Sequence, residues 1–341
     1  MAIADTPWAV IGAGSWGTAL AIQFARAGHP VRLWGRDPAQ QVAMAQARCN
    51  ASYLPDAPFP PGLEAVATLD QALDGTLDGT LDVLVAVPSH ALRAVLHTLA
   101  PRLLPGSRVA WATKGFELET GLLPHQVARE VLGTDRPMAV LSGPTFAREV
   151  GSGLPTAMTV ASADEAFATS LANDLSAGQF RAYISTDMVG VEVGGAVKNV
   201  LALGAGLSDG LSFGANTRVA LITRGLVEMT RLGVALGARR ETLMGLAGLG
   251  DLVLTCTDDQ SRNRRFGLLL AAGRTPQVAL AEIGQVVEGY LAARAVHAVS
   301  HREGVDMPIC EGIYRLLYEG LPAREVVKSL LSRPIKAEFI E

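Results

Sequence analysis

Three glycines, Gly12-x-Gly14-x-x-Gly17, stand between a short apolar run, Trp8 to Ile11, and a helical pattern, Thr18 to Ala27, closed by Gly28. Nothing else in the chain limits its fold as tightly. At this spacing the first glycine permits a sharp turn, the second lets backbone approach a pyrophosphate, and the third lets helix pack close on strand. Backbone N–H groups and the helix dipole at such a turn attract phosphate. In a chain with 36 glycines the pattern alone is weak. Its place after a strand and before a helix gives it weight.

The alternation continues. A second strand, Val31 to Trp34, ends at Gly35-Arg36-Asp37, and a helical stretch runs from Pro38 to about Arg48. Weaker elements lie near 64–68. A buried strand, Asp82 to Val87, stops at Pro88, and Ser89 is expected to cap a helix reaching about Leu103. Strands at Arg108–Ala112 and Met138–Leu141 lead into Thr113-Lys114-Gly115 and Ser142-Gly143-Pro144-Thr145-Phe146-Ala147. This order predicts an α/β fold with a Rossmann-type doubly wound, mainly parallel sheet whose strand ends bind ligand. The repeat Leu73-Asp74-Gly75-Thr76-Leu77-Asp78-Gly79-Thr80 reads as a loop expansion without a role.

After about Asp187 the strand pattern gives way to helices at Val189–Leu207, Thr217–Leu236, Arg264–Ala272, Gly289–Ser300 and Ile309–Glu319. The expected division is a nucleotide-binding domain, 1–188, and an all-α substrate domain, 189–341, that closes a cleft over it. A net charge of −4 argues against nucleic acid as partner. Cys49, Cys256 and Cys310 are odd in number and far apart, as for reduced thiols. No secretory n-region precedes the first strand, and no uncharged apolar run reaches the ~18–20 residues of a membrane span. A soluble, cytoplasmic protein without a membrane partner is the expectation.

Within Val189–Leu207, otherwise Val, Ala, Leu and Gly, the interruptions are Glu192, a single lysine, Lys198, and Asn199. A solitary lysine there is either a snorkelling surface residue or a base whose pKa desolvation has lowered. Lys114 sits at the rim where a strand ends. Asp251, after Gly248-Leu249-Gly250, reads equally as a turn residue or as a carboxylate that orients a lysine. Ser261-Arg262-Asn263-Arg264-Arg265 reads as a solvated face or a phosphate clamp. Arg36, about 20 residues past the turn, occupies the ribose-reading place. It can pair with a 2′-phosphate, which favours NADP over NAD, while Asp37 can accept from a ribose hydroxyl.

Taken in order, Gly12–Leu20, Ala112–Gly115, Ser142–Ala147, Gly194-Gly195-Ala196-Val197-Lys198-Asn199, Gly248–Leu252, Ser261–Arg265 and Val286-Val287-Glu288-Gly289-Tyr290 resemble bacterial NAD(P)-dependent glycerol-3-phosphate dehydrogenase. The resemblance extends to about Ile309, nearly the whole chain. It implies interconversion of sn-glycerol 3-phosphate, a small phosphorylated three-carbon substrate, and dihydroxyacetone phosphate, supplying phospholipid synthesis. It implies Lys198 as proton acceptor, with Lys114 and Asp251 beside it. Lys114, Gly143, Thr145, Lys198, Asp251, Ser261, Arg262 and Asn263 would meet substrate. Gly12, Gly14, Ser15, Trp16, Gly17, Arg36, Lys114, Ala147, Arg262, Val286 and Glu288 would hold NADP or NAD.

Two rivals share parts of this pattern: a β-hydroxy acid dehydrogenase, and a noncatalytic dinucleotide sensor that needs no buried base. His297 and His301, four apart on an expected helix, lack an evident third ligand, so no metal is expected. The apolar helices of the second half make a homodimer reasonable.

Overall fold

The computed structural model describes residues 6–74 and 81–334, so most of the Leu73–Thr80 repeat lies outside the described residues. The first half supplies all ten strands described: β1 Trp8–Ile11, β2 Val31–Trp34, β3 Cys49–Asn50, β4 Leu54–Pro58, β5 Leu63–Ala65, β6 Asp82–Val85, β7 Val109–Trp111, β8 Met138–Ser142, β9 Thr156–Ser162 and β10 Phe180–Ser185. Between them run the helices α1 Ser15–Arg26, α2 Pro38–Ala47, α3 Leu69–Leu73, α4 Leu92–Leu99, α5 Pro124–Leu132, α6 Ala147–Ser152 and α7 Glu165–Leu175. The remainder is helical: α8 Met188–Gly210, α9 Gly214–Ala235, α10 Arg240–Leu243, α11 Asp251–Thr257, α12 Arg262–Ala271, α13 Pro276–Ile283, α14 Glu288–Arg302, α15 Pro308–Tyr318 and α16 Ala323–Leu331. A single π-helical turn, Leu246–Gly250, leads into α11.

Eight strands form one sheet in the order β10-β9-β8-β7-β6-β1-β2-β5, and β3 and β4 make a small separate hairpin. All neighbours in the large sheet are parallel except β8 and β9. Ile11 pairs with both Trp34 and Val85, and Val85 with Trp111, so these strand ends are level and form one rim. Side chains alternate between the sheet's two faces. Trp8, Val10, Leu33 and Leu84 enter one core with α1 and α7, while Ala9, Ile11, Val83 and Val85 enter the other with α4 and α5. This is the doubly wound arrangement expected.

α8 organises the helical half. Asp187 caps it, Oδ1 accepting from Gly190 N at 2.9 Å. Every residue from Gly190 to Ser208 is buried. A helix apolar all round must be covered all round, and α9, α11, α12, α14 and α15 cover it. α8 is long and apolar enough to cross a membrane, yet 94% of its most apolar window is buried inside the fold. It is a core helix.

The structure changes several sequence expectations. α1 starts at Ser15, three residues early, because Gly14 already serves as its N-cap. β6 ends at Val85, two residues short of the expected Val87. Ser89 is not the expected helix cap: it opens a short 3-10 turn, Ser89–Ala91, and its hydroxyl donates to Glu288 Oε2 at 3.5 Å. β3, β4, β9 and β10, the helices α3, α5, α6, α7, α10, α11, α13 and α16, and the π turn extend the elements expected from sequence.

Candidate active site

The glycine turn lies on the strand rim, and its three glycines do three different jobs. Gly12 has φ +121°, and a Cβ there would stand 2.4 Å from the Ala86 carbonyl oxygen. A Cβ on Gly17 would stand 1.9 Å from the Gly12 oxygen, so helix and turn are in closest contact there. Around Gly14 there is open space, with nothing within 4 Å of where a Cβ would be. Gly14 is also the N-cap of α1 and has no side-chain cap bond. The first N–H groups of α1 thus face an open cradle beside bare backbone, which fits a pyrophosphate. Ser15 and Trp16 open the helix, and the buried Trp16 Nε1 has no protein partner.

Arg36, past the end of β2, is exposed. Asp37, beside it, is also exposed. Its Oδ1 caps α2, accepting from Ala39 N at 3.0 Å and Gln40 N at 3.4 Å, so one carboxylate oxygen holds that helix.

The chemical centre lies where α8 passes the strand rim. Lys198 is 7% exposed, and its Nζ donates to Asp251 Oδ1 at 2.7 Å and to Thr255 Oγ1 at 2.9 Å. Lys114, just beyond β7, donates to the other carboxylate oxygen, Asp251 Oδ2, at 2.6 Å. Asp251 therefore bridges two lysines, one from each half of the chain. It is 1% exposed and sits on the first turn of α11. Of its two readings, the lysine-orienting one holds.

Burial lowers the Lys198 ammonium to about 8; Asp251 opposes the shift, and Lys114 adds to it. Burial alone would raise the Asp251 carboxyl, but the two ammonium groups overcome it and hold the group below its ordinary value. Desolvation and a second cation thus bring this amine closer to neutral pH than an ordinary lysine.

Thr255 was not among the residues expected. It follows Asp251 by four on one helix and donates to the Asp251 carbonyl at 2.6 Å, so its oxygen lone pair is free for the Lys198 ammonium. The i, i+4 relation to Asp251 is the signal that could have found it.

A polar ladder adjoins this centre. Asn199, next to Lys198 in α8, accepts from Asn263 Nδ2 at 2.8 Å, and Asn263 Oδ1 accepts from Gly289 N at 2.8 Å. The ladder ties α8, α12 and α14 together and brings Glu288 to the rim. Glu288 faces Ser89, and burial pushes its carboxyl up to about 7 against the opposing pull of Arg262. Arg262 is half-buried and its guanidinium pKa is lowered by desolvation. Ser261 caps α12, accepting from Arg264 N at 3.2 Å.

The arginine run divides by role. Arg264 is a buried structural residue that pairs with Asp209 at 2.7 Å and with Asp259. Arg265 is exposed, and Arg262 faces the site's acid. On the sheet side, the Thr145 hydroxyl donates to the Gly143 carbonyl at 3.2 Å, and Pro144 packs beside Gly250. Ala147 begins α6, and Val286 is 41% exposed just before α14.

Away from this cleft the structure corrects one further expectation. His297 and His301 do have a third potential ligand: Glu311, from the following helix, whose Oε2 lies 2.6 Å from His297 Nδ1 and 3.4 Å from His301 Nε2.

Comparison with known proteins points one way. Residues 7–168 match the family model for the N-terminus of NAD-dependent glycerol-3-phosphate dehydrogenase, and residues 187–328 match the model for its C-terminus. The glycerol-3-phosphate dehydrogenase [NAD(P)+] of Aeromonas hydrophila is 57% identical over 330 residues, covering 96% of this chain and 98% of that protein. The protein of the same name from Thioalkalivibrio sulfidiphilus is 57% identical over 337 residues, 99% of this chain and 100% of that one. The crystal structure of glycerol-3-phosphate dehydrogenase from Coxiella burnetii superposes with a TM-score of 0.92 at 46% identity, covering 96% of this chain and 99% of the other.

Proposed function

This chain belongs to the NAD-dependent glycerol-3-phosphate dehydrogenase family, and we propose that the Lys198 amine is the group that exchanges a proton with the substrate oxygen. The activity is that of an NAD(P)-dependent glycerol-3-phosphate dehydrogenase, an oxidoreductase that interconverts sn-glycerol 3-phosphate and dihydroxyacetone phosphate. The rival readings, a β-hydroxy acid dehydrogenase and a noncatalytic sensor, lose their support with that result.

One observation carries the assignment of Lys198: a buried amine, held between Asp251 and Thr255, with its pKa brought down to about 8. When bound, the nicotinamide supplies the hydride acceptor. The chain supplies the rest. Neutral Lys198 removes the hydroxyl proton during oxidation. As an ammonium it returns that proton to the forming alcohol during reduction and stabilises charge on the oxygen meanwhile. Asp251 keeps the two lysine heads apart at a fixed spacing, and Lys114 presents a second cation to the polar end of the substrate.

Arg262, with Asn263 and Ser261, is suited to the substrate phosphate because guanidinium offers bidentate geometry. Gly143 and Thr145, joined by a hydrogen bond at the end of β8, are suited to meet the rest of the substrate. The cradle at Gly12, Gly14, Ser15, Trp16 and Gly17 suits the pyrophosphate, with Ala147, Val286 and Glu288 completing the dinucleotide site. Exposed Arg36 suits a 2′-phosphate and favours NADP over NAD. The reading includes a division into 1–188 and 189–341, a homodimeric cytoplasmic enzyme, and a product that feeds phospholipid synthesis.

The test is Lys198→Ala. Turnover should fall by about 10²–10⁴-fold, the usual worth of general acid–base catalysis, while NADPH affinity stays nearly unchanged. A variant keeping more than about a tenth of wild-type kcat removes the lysine from this role. Arg36→Ala should raise the KM for NADPH at least about tenfold and leave that for NADH alone, because a charge-assisted bond is worth roughly 1.5–3 kcal/mol. Equal effects on both cofactors would refute the cofactor assignment.

A further inference from the structure

We infer that His297, His301 and Glu311 form a binding site for a borderline divalent cation, of which Zn²⁺ is the best match. His297 and His301 lie four apart on α14, so both imidazoles project from one face. α15 packs against α14 and presents Glu311 to that face. One ligand atom from each residue lies within 4.8 Å of the others.

The distances are close to those a metal needs. Zinc bonds of ~2.0–2.1 Å to nitrogen and ~2.0–2.2 Å to carboxylate oxygen place tetrahedral ligands about 3.3 Å apart. His301 Nε2 and Glu311 Oε2 are already 3.4 Å apart. His297 Nδ1 and the same oxygen, now hydrogen-bonded at 2.6 Å, need to separate by less than about an ångström. The His297 ring is also held in place. Tyr314, three residues after Glu311 on α15, stacks on it at 3.7 Å with a 4° tilt. A ligand whose ring is fixed before the ion arrives loses little freedom on binding.

The donor set decides which ion. Two imidazoles and one carboxylate suit Zn²⁺ and its first-row neighbours, whereas Mg²⁺ and Ca²⁺ prefer oxygen alone. His301 is 64% exposed and Glu311 36%, so water can reach the remaining coordination position. The site is separate from the reaction. Glu288, at the start of α14, precedes His297 by nine residues, about 13 Å along a helix. The bound cation therefore acts as a clamp between α14 and α15, and it stabilises the folded chain because the unfolded chain does not hold these three residues together.

The experiment uses untagged, chelator-treated, full-length protein titrated with Zn²⁺ by calorimetry, then with Co²⁺ followed by visible absorption. His301→Ala and Glu311→Gln are titrated alongside; both residues are at the surface, and retained dehydrogenase turnover reports that each variant is folded. The expected result is one equivalent of Zn²⁺ bound by the wild type, with a raised thermal midpoint and a tetrahedral cobalt spectrum. Each variant should bind at least about tenfold more weakly, the minimum seen when groups around a metal are removed. Absence of one-site binding in the wild type would overturn the proposal, leaving only a hydrogen-bonded triad. So would unchanged affinity in both variants, which would place the ion elsewhere, or Mg²⁺ binding as tightly as Zn²⁺.

Discussion

A lysine serves as a base near neutral pH only when its ammonium form is made costly, and at position 198 the cost comes from burial in α8. The two directions of reaction should therefore respond oppositely to pH. In kcat/KM, oxidation of glycerol 3-phosphate should rise through about 8, while reduction of dihydroxyacetone phosphate should be level below that value and fall above it. Asp251 raises the Lys198 pKa, so Asp251→Asn should move both inflections to lower pH as well as reduce turnover. An inflection that moves up, or does not move, would show that Asp251 does not set the charge on this lysine. Stability carries the same signature. The folded value, about 8, lies below the ordinary 10.5, so between them the folded chain binds fewer protons here than the unfolded one. The penalty for burying the charge is complete below about 8 and is relieved as pH rises from there toward 10.5.

At the scale of elements, one contact converts packing into chemistry. A Cβ on Gly194 would stand 2.4 Å from the Ala247 carbonyl oxygen, in the π turn that leads into α11. Backbone cannot yield that distance cheaply, so Gly194→Ala should push the turn off α8 and carry Asp251 away from Lys198. Misplacement of about 1 Å can cost 10²-fold in rate, and kcat should fall by at least about that factor while the Gly12–Gly17 cradle keeps its dinucleotide affinity. Steady-state kinetics with a parallel NADPH titration decide it: loss of both points to general unfolding, and loss of neither removes the contact from the mechanism.

The same contact marks what the sequence could convey. Lys198 was legible because the residues around it are almost all Val, Ala, Leu and Gly, and the glycine turn because it stood between strand and helix. α11 was hidden because Gly248 and Gly250 stand before it and Val253, Thr255 and Thr257 within it are β-branched. β10 was hidden because, as an edge strand, it lacks regular alternation of buried and exposed residues, with Tyr183 and Ile184 both exposed. Asp37 has the right residue type for a ribose contact, but its engagement in an N-cap depends on α2 starting at Pro38. Glu311 is separated from His301 by a turn, so only the docking of α15 on α14 reveals it.

At the scale of the whole molecule, α8 belongs to two cores at once. Met188 and Val191 pack with one face of the sheet, while Val193 to Ala205 pack with the surrounding helices. Glu192 lies between these groups, fully buried, where burial raises its carboxyl against the opposing His125. Its Oε1 accepts from Trp111 Nε1 in β7 at 3.0 Å and from His125 N in α5 at 2.9 Å, and Oε2 meets His125 Nδ1 at 2.6 Å. One carboxylate thus joins the central helix to β7 through one bond and to α5 through two. Because the core helix is shared, the sheet and helical halves should unfold together, in a single calorimetric transition. Glu192→Ala orphans at least two buried donors, at about 1–3 kcal/mol each, and should lower the midpoint by at least about 3 °C. Glu192→Gln keeps the acceptor for Trp111 and the His125 amide, so it should fall between. Two resolved transitions in the wild-type protein would mean that α8 does not couple the halves, and an alanine variant as stable as the glutamine one would mean that this carboxylate is not the joint.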